Sequence, residues 1–425
     1  MGNWFGSWWR SEPPPPIILV PPLFDFPPLA ARTRMLFPSY DILFGKLARR
    51  CLFEDYFEQA GKLNTRVMLK PIEDPHVDLV ATFSGPLDKK SGHSINGNAV
   101  LRWQRDLYDP NTFMDLSVSD SEPILCMRSS AYYPRFRLGA FGIFPLVVTN
   151  RVYPEDYGVM GLRYGSKCLS IGTTFMPFPL STETPFCAWL VGKTGRLTAG
   201  IKYKPLGEGT HRMKFKDLKN WSYTIGYGFG SGSPLNPSFN FNLEVERNSQ
   251  LIASFYQHLV VQRRVKNPLE DNHVVGITNY VDFGFEFRTR IIGDKPSENI
   301  GTSSFQVAAS WQANKNLLLK GKFGSLGSSI ALAFKSWWNP SFTFSFSAAN
   351  DSNGRKYGFG MCLEALRQAS YERADPNYVM LKPNKEHLAE GVLRNFGKRP
   401  MFQSEIDSGN YDCLPRELRP LGKIL

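Results

Sequence analysis

From Arg66 to Leu363 apolar residues recur at every second position, and this period of two most constrains the fold. A helix repeats its apolar face at 3.6 residues, so only β-strands with one apolar and one polar face fit so long an alternation. Leu197, Ala199, Ile201 and Tyr203 alternate with Arg196, Thr198, Gly200, Lys202 and Lys204. Phe239, Phe241, Leu243 and Val245 oppose Asn240, Asn242, Glu244 and Glu246. Phe283, Phe285 and Phe287 oppose Gly284, Glu286, Arg288 and Arg290, and Phe136 and Leu138 alternate with Arg135, Arg137 and Gly139. Turn signals at Leu87–Gly92, Asp109–Asn111, Gly230–Pro237, Gly293–Gly301 and Asn350–Gly354 separate the runs. At about 9 to 11 residues per spanning strand, the region holds about 18 to 20 antiparallel strands.

Two architectures compete for such a pattern. A soluble sandwich or propeller, serving as a β-rich enzyme or lectin, turns a mixed Val, Leu and Ile face toward a core. Here Phe, Tyr and Trp dominate the apolar face, and Gly, Ser, Asn, Lys and Arg the other. That combination suits a lipid-facing exterior with a water-filled lumen, and closure satisfies every backbone group in lipid. Mean hydropathy is −0.27, and no run of about 18 apolar residues occurs, so a helical span is not expected. The expectation is an all-β transmembrane β-barrel, residues 66–365. Of the net charge of +12, this segment carries +9, from 33 basic and 24 acidic residues spread singly along the strands. No Lys/Arg block of the kind that binds nucleic acid occurs.

The flanks differ from the barrel. Residues 1–37 are rich in Pro, Trp and Phe, as in Pro13–Pro16, and make no regular element of their own. Arg10 and Glu12 ahead of that run do not form a secretory signal, and no transit-peptide pattern is present; no cleavable address is expected. Residues 38–61 read as one amphipathic helix, about Tyr40–Gln59, with Phe44, Leu47, Ala48, Cys51, Leu52 and Tyr56 as its apolar stripe. Lys46, Arg49 and Arg50 put three cations on one side of it. Residues 366–425, punctuated by Pro376, Pro383, Pro400, Pro415 and Pro420, read as an extended or partly helical soluble appendage.

Motifs of enzyme chemistry are weak. Gly192-Lys193-Thr194 ends like a phosphate loop, but the first glycine of that motif falls on Cys187. Gly226, Gly228, Gly230 and Gly232 lie in and after a strand, and read as lumen-facing glycines that let strands curve. Six cysteines without a CxxC pair fit a reducing compartment, and the six histidines show no ligand spacing. No catalytic constellation, metal site or cofactor is expected.

Two passages carry a family resemblance. Pro38-Ser39-Tyr40-Asp41-Ile42-Leu43-Phe44-Gly45-Lys46-Leu47-Ala48-Arg49-Arg50-Cys51-Leu52-Phe53-Glu54-Asp55-Tyr56 resembles the N-terminal helix of the mitochondrial voltage-dependent anion channels, the eukaryotic porins. One residue is inserted before Gly45, and Arg50-Cys51 replaces the usual acidic residue. Lys356-Tyr357-Gly358-Phe359-Gly360-Met361-Cys362-Leu363-Glu364-Ala365 is similar to that family's last strand. In it Lys356, Gly358, Met361 and Leu363 fit an outer-membrane insertion signal. The resemblance implies about 19 strands with the helix inside or at the lumen. Both extensions depart from the usual family outline and resemble its plant-type branch.

The resulting expectation is a passive channel for anions and small metabolites in the mitochondrial outer membrane, with the plastid outer envelope as the alternative. Arg135, Arg137, Lys202, Lys204, Arg288, Arg290, Lys320 and Lys322 stand in lumen phase, and Lys46, Arg49 and Arg50 add a cationic constriction. Expected partners are outer-membrane lipid, the barrel sorting and assembly machinery, and proteins docking on the extensions, with no nucleic acid. The competing reading is a plugged barrel that anchors those extensions.

Overall fold

The computed structural model describes residues 33–69, 76–87, 95–105, 111–149, 154–166, 168–177, 186–205, 217–229, 237–266, 273–291, 303–314, 316–325, 327–336, 341–351 and 354–365. Positions 71 and 74 and the pieces 17–18, 371–374 and 378–381 are also described. Most of the Pro/Trp-rich leader and of the C-terminal appendage, with Gly230, Gly232 and Cys413, lies outside the described residues. Of the appendage, a small antiparallel hairpin, Tyr371–Ala374 with Tyr378–Leu381, is described.

Nineteen strands form the barrel. They are β1 (Lys62–Leu69), β2 (Val77–Pro86), β3 (Asn96–Gln104), β4 (Phe113–Ser119), β5 (Leu125–Tyr133) and β6 (Leu138–Val147). Next come β7 (Val159–Gly165), β8 (Leu169–Phe175), β9 (Phe186–Thr194), β10 (Leu197–Tyr203), β11 (Trp221–Phe229) and β12 (Ser238–Glu246). The wall is completed by β13 (Gln250–Lys266), β14 (His273–Arg290), β15 (Ser303–Gln312), β16 (Leu317–Gly324), β17 (Gly327–Ser336), β18 (Ser341–Asp351) and β19 (Gly354–Ala365). Each pairs antiparallel with the next, and short turns join many of them; Gly195, at φ 61°, sits in the tight β9–β10 turn. Because the number is odd, β1 and β19 run the same way, and the ring closes by a parallel ladder from Leu63↔Phe359 to Leu69↔Ala365. Closure leaves the wall no free edge strand.

Side-chain direction follows the alternation. Ile225, Leu243, Phe305, Trp311, Leu332, Phe344 and Phe359 are exposed on the outside, while Thr224, Asn242, Glu244, Ser310, Gln312, Ser345 and Ser347 are buried on the inside. In water so continuous an apolar exterior would aggregate, whereas in lipid it is the stabilising face. This is a membrane-type barrel, turned inside out relative to a soluble core. Among the described residues no helix is long and apolar enough to cross a membrane.

The expected single helix is instead broken. α1 (Ser39–Leu43) ends at Phe44, Gly45 adopts φ 65°, and α2 (Lys46–Phe53) then begins. Tyr56, also at positive φ (68°), introduces a short turn Phe57–Gln59. Gly45 is the residue type that enters the left-handed region without a Cβ clash, so the break falls there.

Candidate functional site

The segment from Met35 to Gly61 lies within the lumen as a belt that sweeps along the inner wall from β6 to β19. It starts against β6 and β7, where Arg163 donates to the Phe37 carbonyl at 2.8 Å. Ser39 Oγ meets Ser170 Oγ at 2.6 Å and accepts from Trp189 Nε1 at 2.6 Å. Tyr40 bonds Thr224 and donates to Glu244 at 3.4 Å. Burial first, and then the Glu244 carboxylate, push the Tyr40 phenol far above its ordinary value, so it stays protonated as a donor. At the break, Asn242 Nδ2 donates to the Phe44 carbonyl at 2.9 Å and so occupies an acceptor that the ended helix leaves open.

Glycines in the wall make room for the belt. A Cβ on Gly200 would stand 2.7 Å from the Phe44 ring, one on Gly284 2.8 Å from Leu52, and one on Gly358 1.8 Å from the Gln59 carbonyl oxygen. Phe44 is fully buried with Tyr40, Phe141, Trp189 and Val191, and Leu52 and Phe53 pack on Ala308. Gly226 is lumen-facing as expected, but beside any role in curvature it forms part of the seat for Phe44.

The lumen cations are paired. Lys46 Nζ reaches Glu244 at 2.7 Å and Asp41 at 3.4 Å, and Lys202 reaches Asp41 at 3.1 Å. Arg49 is buried and meets Glu286 at 3.1 Å, and Arg288 meets the other oxygen of that carboxylate at 2.6 Å. Arg50 is exposed and pairs within the helix with Glu54 at 2.5 Å. Lys320 donates to the Cys51 carbonyl at 2.9 Å and Lys322 to the Phe53 carbonyl at 3.0 Å. These two β16 lysines therefore cap the open carbonyls and negative dipole end of α2.

Four expected lumen residues stand elsewhere. Arg135 and Arg137 are exposed in the β5–β6 turn, with Arg137 at φ 55°. The alternation of Phe136 and Leu138 around them continues through a turn and mimics a strand. Lys204 lies just past the end of β10, and Arg290 ends β14, both exposed at the rim where β1 begins. The three cations expected to form a constriction thus stand on a docked belt, Lys46 and Arg49 paired to wall carboxylates and Arg50 to Glu54. The carboxylates Asp41, Glu244 and Glu286 were the missing half. The lumen phase of Glu244 and Glu286 was readable from the alternation, but weighing cations alone passed over them.

At that same rim a cavity of about 660 Å³ opens between the end of the belt and β14–β19. Glu54, Glu58, Asp351, Lys62, Arg288 and Lys356 line it, a mixture of both signs. On β19, Lys356 pairs with Asp351 at 2.8 Å and Gly358 faces inward, while Met361 faces outward in phase with Leu363. The proposed insertion residues therefore sit on the strand that closes the ring. Among the described residues no metal-ligating cluster occurs. A scan against protein-family models and a search of the curated proteins both found no match.

Proposed function

We propose that this chain is a porin-like channel through which anions and small metabolites diffuse passively across an outer membrane, and that it is of the eukaryotic porin type. The observation that carries this reading is the ring itself: nineteen strands, closed in parallel around a polar lumen under an apolar exterior. Single-chain bacterial barrels have even strand numbers, whereas the mitochondrial voltage-dependent anion channel has 19. The N-terminal belt and the Lys356-to-Leu363 pattern on the closing strand support the same type, with the mitochondrial outer membrane as the proposed site and the plastid envelope as alternative. Lipid and the barrel assembly machinery are its proposed partners, and no catalysis is proposed. The pairing of Lys46, Arg49, Lys202 and Arg288 with Asp41, Glu244 and Glu286 makes the anion preference weaker than these four cations would give if unpaired.

The test is reversal potential and single-channel conductance of the purified protein in a planar bilayer under a KCl gradient. A large conductance with a mild anion preference is expected. Silence that is relieved only by removing residues 1–37 or 366–425 would overturn the open channel. It would favour the plugged barrel, which serves as an anchor for its terminal extensions.

A further inference from the structure

β13 and β14 are longer than their neighbours, with 17 and 18 residues, and project past the rim where β1 ends. β15 pairs with β14 only as far as Tyr280↔Gln312, so residues 273–279 extend beyond that ladder. Seven residues of strand correspond to an overhang of about 23 Å. Where it leaves the wall the register shifts between Val261 and Gln262, leaving Thr278 as an extra residue, a bulge of the kind that bends a hairpin. Such an overhang has an open row of backbone donors and acceptors, the feature that invites strand addition.

A backbone ladder covers this edge, and side-chain burial shows that a face beside it is covered too. Ile17 and Ile18 pair with the edge in parallel, Ile17↔Gly276 and Ile18↔Ile277. On the overhang and at its base, Ile277 is 1% exposed, Asn279 8% and Tyr280 2%, far less than a free-standing two-stranded ribbon permits.

We propose that the β14 overhang is a strand-addition site whose occupant is this chain's own leader, docked through Ile17 and Ile18. The leader is then fastened outside the barrel wall at the rim opposite the one where the belt becomes β1. Backbone pairing supplies the affinity, and the prolines at 16 and 21, which bound the four-residue apolar run 17–20, limit how far the added strand can run. The inference is independent of what the pore conducts.

Amide hydrogen exchange of the full chain in detergent micelles tests it. Deleting residues 1–20, or substituting Ile18→Pro to remove one backbone donor, should speed exchange over 274–279 by about tenfold. Exchange over 281–289, which β15 protects, should not change and reports an intact barrel. Equal exchange over 274–279 with and without the leader overturns the proposal. In a chain whose other cysteines are replaced, Ile17→Cys with Gly276→Cys should cross-link within one molecule. Cross-linked dimers, or no cross-link, would overturn docking of a chain on its own edge.

Discussion

Glu286 is the residue on which the electrostatics of the lumen turn. Its two carboxylate oxygens bind Arg49 from the belt and Arg288 from its own strand, at 3.1 and 2.6 Å. With the carboxylate in place the two guanidiniums carry a net charge of +1 between them, and without it +2. A unit charge 4 Å away in water is worth about 1 kcal/mol, so freeing one cation raises local anion enrichment by up to about fivefold. Glu286→Gln is therefore expected to move the reversal potential under a KCl gradient toward the chloride value. The shift should shrink in high salt, where the Debye length falls to about 3 Å at 1 M. An unchanged potential would mean that permeating ions do not pass this carboxylate.

The belt is positioned by a break that its sequence signals only faintly. Gly45→Ala places a Cβ 2.9 Å from the Asn240 amide and forces a non-glycine residue to φ 65°, at a cost of about 1 kcal/mol. A straight α1–α2 helix cannot also keep Phe44 in the Gly200–Gly226 seat, so the belt loosens. Faster trypsin cleavage at Arg49 and Arg50 in intact, folded barrels is the expected readout; a cleavage rate equal to wild type would show that the belt tolerates a continuous helix. The elements differ in how legible they were. Strands such as β12 and β15 were readable because a phase error exposes every side chain to the wrong solvent. The break at Gly45 was not, since an isolated glycine within an amphipathic stripe often stays helical, and what decides it is Asn242 and the wall glycines, about two hundred residues away. Arg135 and Arg137 were misread because apolar alternation at Phe136 and Leu138 says nothing of backbone direction. The charge pairs at Asp41, Glu244 and Glu286 depend on which strands the belt crosses, which only the closed ring fixes.

For the whole molecule, the direction of the alternation separates a lipid-embedded barrel from a soluble one, and neighbouring residues on β18 make the comparison internal. Phe344 points outward and is 50% exposed, whereas Thr343 points into the lumen and is 7% exposed. Both belong to the same two ladders, Phe334↔Phe344↔Met361 and Lys335↔Thr343↔Cys362, so backbone pairing is common to both. In a bilayer an arginine on the outer face costs about 2–4 kcal/mol near the midplane, while lumen positions accept charge. In a soluble protein the same exposed site would accept arginine at nearly no cost, and the buried one would not. Phe344→Arg is thus expected to lower the fraction of chain resisting alkaline carbonate extraction, with Thr343→Arg leaving that fraction near wild type. The lumen variant should instead shift the reversal potential toward anions, because it adds a cation beside the paired Lys335 and Glu364. The opposite ranking of the two variants would place the core where the lumen now stands and remove the membrane from the account of this fold.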